Sequence, residues 1–186
     1  MSVMPEVRRV VVGVSGTPSS LQALRVGLDE ARRGRVPLLA VLAWVPLGGE
    51  AAYRHAPCPP LLAQWEQAAA WRLRNAFDEA LGGVPDDLAV ELLLIRGPAG
   101  AALVDAADQE DDLLVVGSGP RELPARLFHG ATARYCVSHA ACRVLTVPPP
   151  NLLRSLPRRL RHHVPTPPTT PAPPDPTHTD ETQPLT

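Results

Sequence analysis

The stretch best suited to chemistry is the run from Leu113 through Val116, Gly117, Ser118 and Gly119 to Pro120, followed by Gly130, Ala131 and Thr132. An apolar strand ends in glycine, a loop follows, and a second glycine opens a predicted helix. That arrangement suits an anion. Glycine lets the backbone approach closely, and a helix start offers N–H groups and the positive end of a dipole. Two positions oppose phosphate: Pro120 has no N–H to donate, and Ala131 has no hydroxyl. Gly119 lies one place before Pro120 and Thr132 one place after Ala131, so both are displaced substitutes. Arg121 and Arg126 share the loop and are candidates for bidentate pairing with phosphate. An exposed loop arginine also serves simply to solvate a surface, and Thr132 to cap the helix.

Other chemistry-bearing residues form weaker sets. Cys136, His139 and Cys142 are evenly spaced, but on a helix they spread over about 120° and no fourth ligand accompanies them, so no metal site is expected. His55 and Cys58 share one loop without a third group to orient the histidine. Asp105, Asp108, Glu110, Asp111 and Asp112 read as a solvated acidic end to a helix. No catalytic constellation emerges, and no enzymatic activity is expected.

The elements that would position these residues alternate along the chain. A first strand is predicted over Val7–Val14. A helix follows, with Ser19 and Gln22 as a capping box, and closes at Arg32-Arg33-Gly34. Leu38–Val45 is a second strand, and Pro46–Pro60 reads as a loop. A long amphipathic helix runs from Pro60 to Gly82-Gly83, with Leu61, Leu62, Trp65, Ala69, Leu73, Ala76, Phe77 and Leu81 on its apolar side. Leu88–Ile95 is a third strand, and Pro98 leads into a helix through Ala107. Leu113–Val116 and Val144–Val147 are the fourth and fifth strands, with a helix from about Gly130 to His139 between them. Strands apolar on both faces, alternating with helices, predict an α/β fold with a parallel sheet covered on both sides.

Composition bounds the function classes. The chain has 186 residues, 45% of them hydrophobic, which is enough for one sizeable core. Its net charge of -1 gives no general attraction to nucleic acid or to an acidic membrane surface. No apolar run reaches the length of a membrane span, and the first residues lack a signal-peptide profile. Three cysteines argue against a disulfide framework and for a reducing, cytoplasmic setting. After Val147 the composition changes, and about half of the 23 prolines follow. Residues 1–150 therefore read as the domain and 151–186 as a Pro-rich, disordered tail. Its cluster of Arg154, Arg158, Arg159, Arg161, His162 and His163 and its Pro-x-x-Pro spacings are candidates for a protein partner, beside the plainer reading of a solvated segment.

Residues 6–148 resemble the universal stress proteins. Nucleotide-binding members of that family carry Gly-x2-Gly-x9-Gly-Ser/Thr after the fourth strand. Here Gly117 and Gly130 keep the outer spacing, Pro120 stands for the middle glycine and Ala131 for the hydroxyl residue. Val12-Gly13-Val14-Ser15-Gly16-Thr17-Pro18-Ser19, Gly97-Pro98-Ala99 and the stretch from His139 to Val147 also look like the family. The resemblance implies a five-stranded sheet in the order 3-2-1-4-5, with the fifth strand pairing two subunits in a homodimer. It places Ser15 where nucleotide-binding relatives carry an Asp, and Ala43 and Val116 against an adenine. That order puts the topological switch between strands 1 and 4, where ligands of such sheets sit. The implied site comprises Gly13, Val14, Ser15, Ala43, Val116, Gly117, Gly119, Pro120, Gly130, Ala131 and Thr132, with ATP or another adenine nucleotide as the only cofactor in view. The expectation is a dimeric, non-enzymatic stress-response protein whose ATP site is degenerate. A working adenine-nucleotide sensor is the alternative. Slow ATP hydrolysis ranks last, because nothing positions a water or a second metal.

Overall fold

A computed structural model describes residues 6–119 and 131–150. In chain order the elements are β1 (Arg9–Gly13), α1 (Pro18–Gly34), β2 (Leu38–Trp44), α2 (Gly49–His55), α3 (Pro59–Leu81), β3 (Val90–Arg96), α4 (Ala99–Ala106), β4 (Asp112–Gly117), α5 (Ala131–His139) and β5 (Arg143–Val147). The five strands form one parallel sheet in the order β3-β2-β1-β4-β5. The α/β class and the strand order are as expected from the sequence. Pro120, Arg121, Arg126, Gly130 and the whole tail from 151 lie outside the described residues.

The sheet separates two apolar layers. Val10 and Val12 of β1 face α1 and α3, packing with Leu24, Leu28, Leu73 and Phe77. Val11, Leu39, Val41, Leu114 and Val116 face the other way, against Leu103 and Ala107 beside α4 and Ala133 and Cys136 of α5. Alternate residues of a strand point to opposite faces, so a strand buried on both sides must be apolar throughout. That holds for Val10–Val12 of β1 and for all of β2. It fails for β3, whose Glu91, Leu92 and Arg96 are exposed, and for Thr146 of β5. The expectation of strands apolar on both faces is corrected there, since edge strands are covered incompletely.

Local details also differ. Thr17, not Ser19, caps α1: Pro18 takes the first helical position, and the Thr17 side chain accepts the Ser20 N–H at 3.3 Å. Ser19 is thereby drawn into the helix and buried. At the other end Gly34 is still helical, and Arg35 takes the left-handed conformation at φ 52°. Within the expected Pro46–Pro60 loop lies α2, a helix with no buried residue. Its Glu50 receives two hydrogen bonds from Arg96 at 2.8 Å each, and the same guanidinium lies 4.9 Å over the Tyr53 ring. Those bonds from Arg96 hold the Glu50 carboxyl below the usual carboxylate range. Arg96 of β3, more than forty residues away in sequence, thereby ties the helix to the edge of the sheet.

The acidic stretch is not uniformly solvated. Register places Arg9 of β1 opposite Asp112 of β4. Asp112 is 1% exposed and accepts from Arg9 Nε at 2.9 Å and Nη2 at 2.7 Å, while Arg9 also reaches Asp108 at 3.1 Å. Asp112 is therefore an interior ion-pair residue.

Candidate ligand-binding cleft

A cleft of about 250 Å³ opens at the carboxyl ends of β1 and β4. It lies where the chain leaves adjacent strands in opposite directions, toward β2 on one side and β5 on the other. Gly13 and Val14 continue β1 into it, Val116 and Gly117 end β4, and Gly119 follows. Val41 and Ala43 reach it from alternate positions of β2, Ala99 and Leu103 from α4, and Thr132 from α5. Ser15, Thr17, Ser19 and Ser20 form the polar wall.

Eight of the residues singled out in the sequence therefore meet here: Gly13, Val14, Ser15, Ala43, Val116, Gly117, Gly119 and Thr132. Ala131 does not. It is the first residue of α5, and the next residue, Thr132, lines the cleft instead. A helix turns by about 100° per residue, so neighbours point to different faces. Pro120 and Gly130 lie outside the described residues. As cleft residues, sequence reasoning missed Thr17, Ser19, Ser20, Val41, Ala99 and Leu103. The alternation of β2 signals Val41 once Ala43 is placed. Leu103 carries no local signal, because only the packing of α4 on the sheet brings it to the cleft.

Gly117 has a structural reason of its own. A Cβ there would stand 2.8 Å from the Ser19 carbonyl carbon and 2.9 Å from Ser20 N, so the start of α1 crosses the end of β4 at bare backbone distance. Gly119 adopts φ 73°, the left-handed region that glycine enters without strain.

The polar wall is a connected chain of hydroxyls. The Ser15 and Thr17 hydroxyl oxygens are 3.1 Å apart, and those of Thr17 and Ser19 are 3.3 Å apart. The Ser15 N–H donates to Ser20 Oγ at 3.1 Å, and Ser20 Oγ donates to the Thr17 carbonyl at 3.1 Å. The first turn of α1 is thus largely satisfied from within. Pro18 has no N–H, and the N–H groups of Ser20 and Leu21 are both taken by Thr17. Among the described residues lining the cleft none carries a charge.

The cysteines stand elsewhere. Cys136 is buried under the sheet, and burial pushes its thiol up to about 11. It is therefore a neutral, apolar packing group near neutral pH rather than a ready metal ligand or nucleophile. Among the described residues no group of three or more His, Cys, Asp or Glu is arranged to hold a metal ion. No helix among them is long and apolar enough to cross a membrane.

Comparison with solved structures agrees with this architecture. The universal stress protein UspA from Lactobacillus plantarum is 21% identical, with a TM-score of 0.59 and with 76% of this chain and 98% of that chain covered. A universal stress protein from Archaeoglobus fulgidus is 23% identical, with a TM-score of 0.51 and coverage of 75% and 98%. A universal stress protein solved in complex with cAMP is 28% identical, with a TM-score of 0.47 and coverage of 75% and 95%. No curated protein matches the sequence. The sequence pattern of the universal stress protein family matches residues 6–148, which contain every strand and helix described above, and the chain belongs to that family.

Proposed function

We propose that this universal stress protein acts in a cytoplasmic stress response without catalysing a reaction, through subunit and protein contacts, and that it binds Mg-ATP weakly or not at all. The observation that carries this reading is the hydroxyl wall of Ser15, Thr17, Ser19 and Ser20, which holds no charge among the described residues. Ser15, at the position where nucleotide-binding relatives carry an Asp, is hydrogen-bonded to Thr17, and a neutral hydroxyl holds a phosphate-bound cation poorly. The capped first turn of α1 withholds donors that a phosphate would need. Among the described residues lining the cleft, no carboxylate is present to hold a phosphate-bound metal. Losing two phosphate contacts of about 1–3 kcal/mol each would weaken affinity at least tenfold.

Subunit contact would use the edge of the sheet. β5 is the terminal strand, and its Thr146 is exposed. An unpaired strand edge is a template for a second copy. Sedimentation of the full chain without nucleotide is expected to give a dimer, and a monomer at micromolar concentration would remove this part of the proposal.

A working adenine-nucleotide sensor is the competing reading. It is favoured by the positions of Gly119 and Thr132 in the cleft and by α4, which begins at Ala99 with no side-chain cap. Calorimetric titration of Mg-ATP separates the two. The expected result is no heat from the natural chain and measurable binding by the Pro120→Gly, Ala131→Ser double variant. Micromolar binding by the natural chain would establish the sensor instead.

A further inference from the structure

We infer that a second copy of this chain docks on the free edge of β3, the two strands pairing antiparallel about Leu93. This contact lies at the edge opposite β5 and is separate from the subunit contact proposed above. The ladder with β2 fixes which backbone groups are free. The Leu38 N–H donates to the Ala89 carbonyl and the Gly97 N–H to the Trp44 carbonyl, so odd-numbered residues of β3 turn their polar groups inward. The N–H and C=O groups of Val90, Leu92, Leu94 and Arg96 therefore point outward. β3 ends the sheet, so no strand among the described residues meets them.

This edge is complementary to itself. In an antiparallel pair, facing residues exchange both hydrogen bonds only when both point outward. β3 has 7 residues, begins and ends on an outward one, and carries Leu93 at its centre. A two-fold axis at Leu93 therefore overlaps the whole strand. It sets Leu92 against Leu94 of the second copy and Val90 against Arg96, with two hydrogen bonds for each facing pair. Alternation puts Leu92 on the same face as Val90 and Leu94, the face that α3 covers. Leu92 is 36% exposed in the single chain, and pairing would cover it with a leucine. Charge does not oppose this register. Glu91 falls opposite Ile95, whereas an axis moved to Glu91 would set two carboxylates side by side. Arg96 turns its guanidinium to Glu50 on its own chain. With such a contact at each edge, dimers joined at β5 can add end to end as the concentration rises.

The first test traps the register by oxidation of the full chain. Cys58→Ser serves as the background, because Cys58 is an exposed thiol. Leu93→Cys places two thiols at the axis in a non-hydrogen-bonded pair, with Cα atoms about 4.5 Å apart and within disulfide reach. Leu94→Cys is the control, since its two copies are offset along the strands by more than the roughly 7 Å a disulfide spans. The linked dimer is expected to form at least about tenfold faster in Leu93→Cys than in Leu94→Cys. Equal rates, or no linkage in a folded Leu93→Cys chain, would overturn the inference. Sedimentation supplies the second test and separates the two edges. Thr146→Pro removes an outward N–H from β5, and Leu92→Pro removes one from β3 while sparing the ladder with β2. The Thr146→Pro chain is expected to retain a reversible monomer–dimer equilibrium, weakened at least about tenfold when Leu92→Pro is added. A Thr146→Pro chain that stays monomeric at high concentration, or association unchanged by Leu92→Pro, would also overturn the inference.

Discussion

Replacing Arg9 with alanine is expected to cost about 3 kcal/mol of folding stability, a fall in midpoint temperature of roughly 10 °C. The change leaves the Asp112 carboxylate, which is 1% exposed, without the guanidinium that supplies two of its hydrogen bonds. A buried anion stripped of its partner is far more costly than the intact pair is favourable. Asp112→Ala should cost less, about 1–2 kcal/mol, because the Arg9 side chain is 32% exposed and can turn to water while keeping Asp108. Arg9→Lys should fall between them, since an ammonium cannot reproduce the two-pronged contact. Urea denaturation of the three variants reads this order directly. Equal costs for Arg9→Ala and Asp112→Ala would mean that the burial of Asp112 does not govern the effect.

Gly117→Ala is expected to destabilise the chain by about 1–3 kcal/mol and to displace the first turn of α1. Its methyl group would meet backbone atoms of Ser19 and Ser20 at 2.8–2.9 Å, and backbone cannot rotate aside as a side chain can. Gly13→Ala is the informative contrast. A Cβ there stands 2.9 Å from Leu103 Cδ1, the far end of a flexible side chain, so the cost should be smaller. The two variants should also differ at the cleft. Gly117→Ala pushes on the segment that carries the Ser15–Thr17–Ser19 chain, whereas Gly13→Ala presses on the apolar wall through Leu103. Denaturant midpoints of the two variants would report the difference in cost. A Gly117→Ala protein as stable as the parent would show that α1 can lift off β4 at little cost.

What the sequence determined by itself was the alternation of strand and helix, and with it the fold class. That information is local. Runs such as Val10–Val12 and Leu38–Leu42 state by their own composition that they are buried on both faces. The spacing of Ala69, Leu73, Ala76 and Phe77 gives the apolar face of α3, and Gly82 in the left-handed conformation ends it. The glycines and small residues at the ends of β1 and β4 marked the cleft because close backbone approach needs them wherever the strands end.

Only the tertiary structure decided which members of similar local patterns go inside. Asp112 looks like its acidic neighbours in sequence, but register with β1 sets it opposite Arg9 and buries it. Glu91 and Leu92 look like strand residues of the interior until β3 falls at the edge of the sheet. The helix α2 is held by an arginine from β3, and Leu103 enters the cleft only because α4 packs across the sheet. Thr17 displaced Ser19 as the cap of α1 because Pro18 took the first helical position and Ser19 was needed under the crossing with Gly117. In each case the deciding partner is distant in the chain, so no window of neighbouring residues contains the energy that makes the choice.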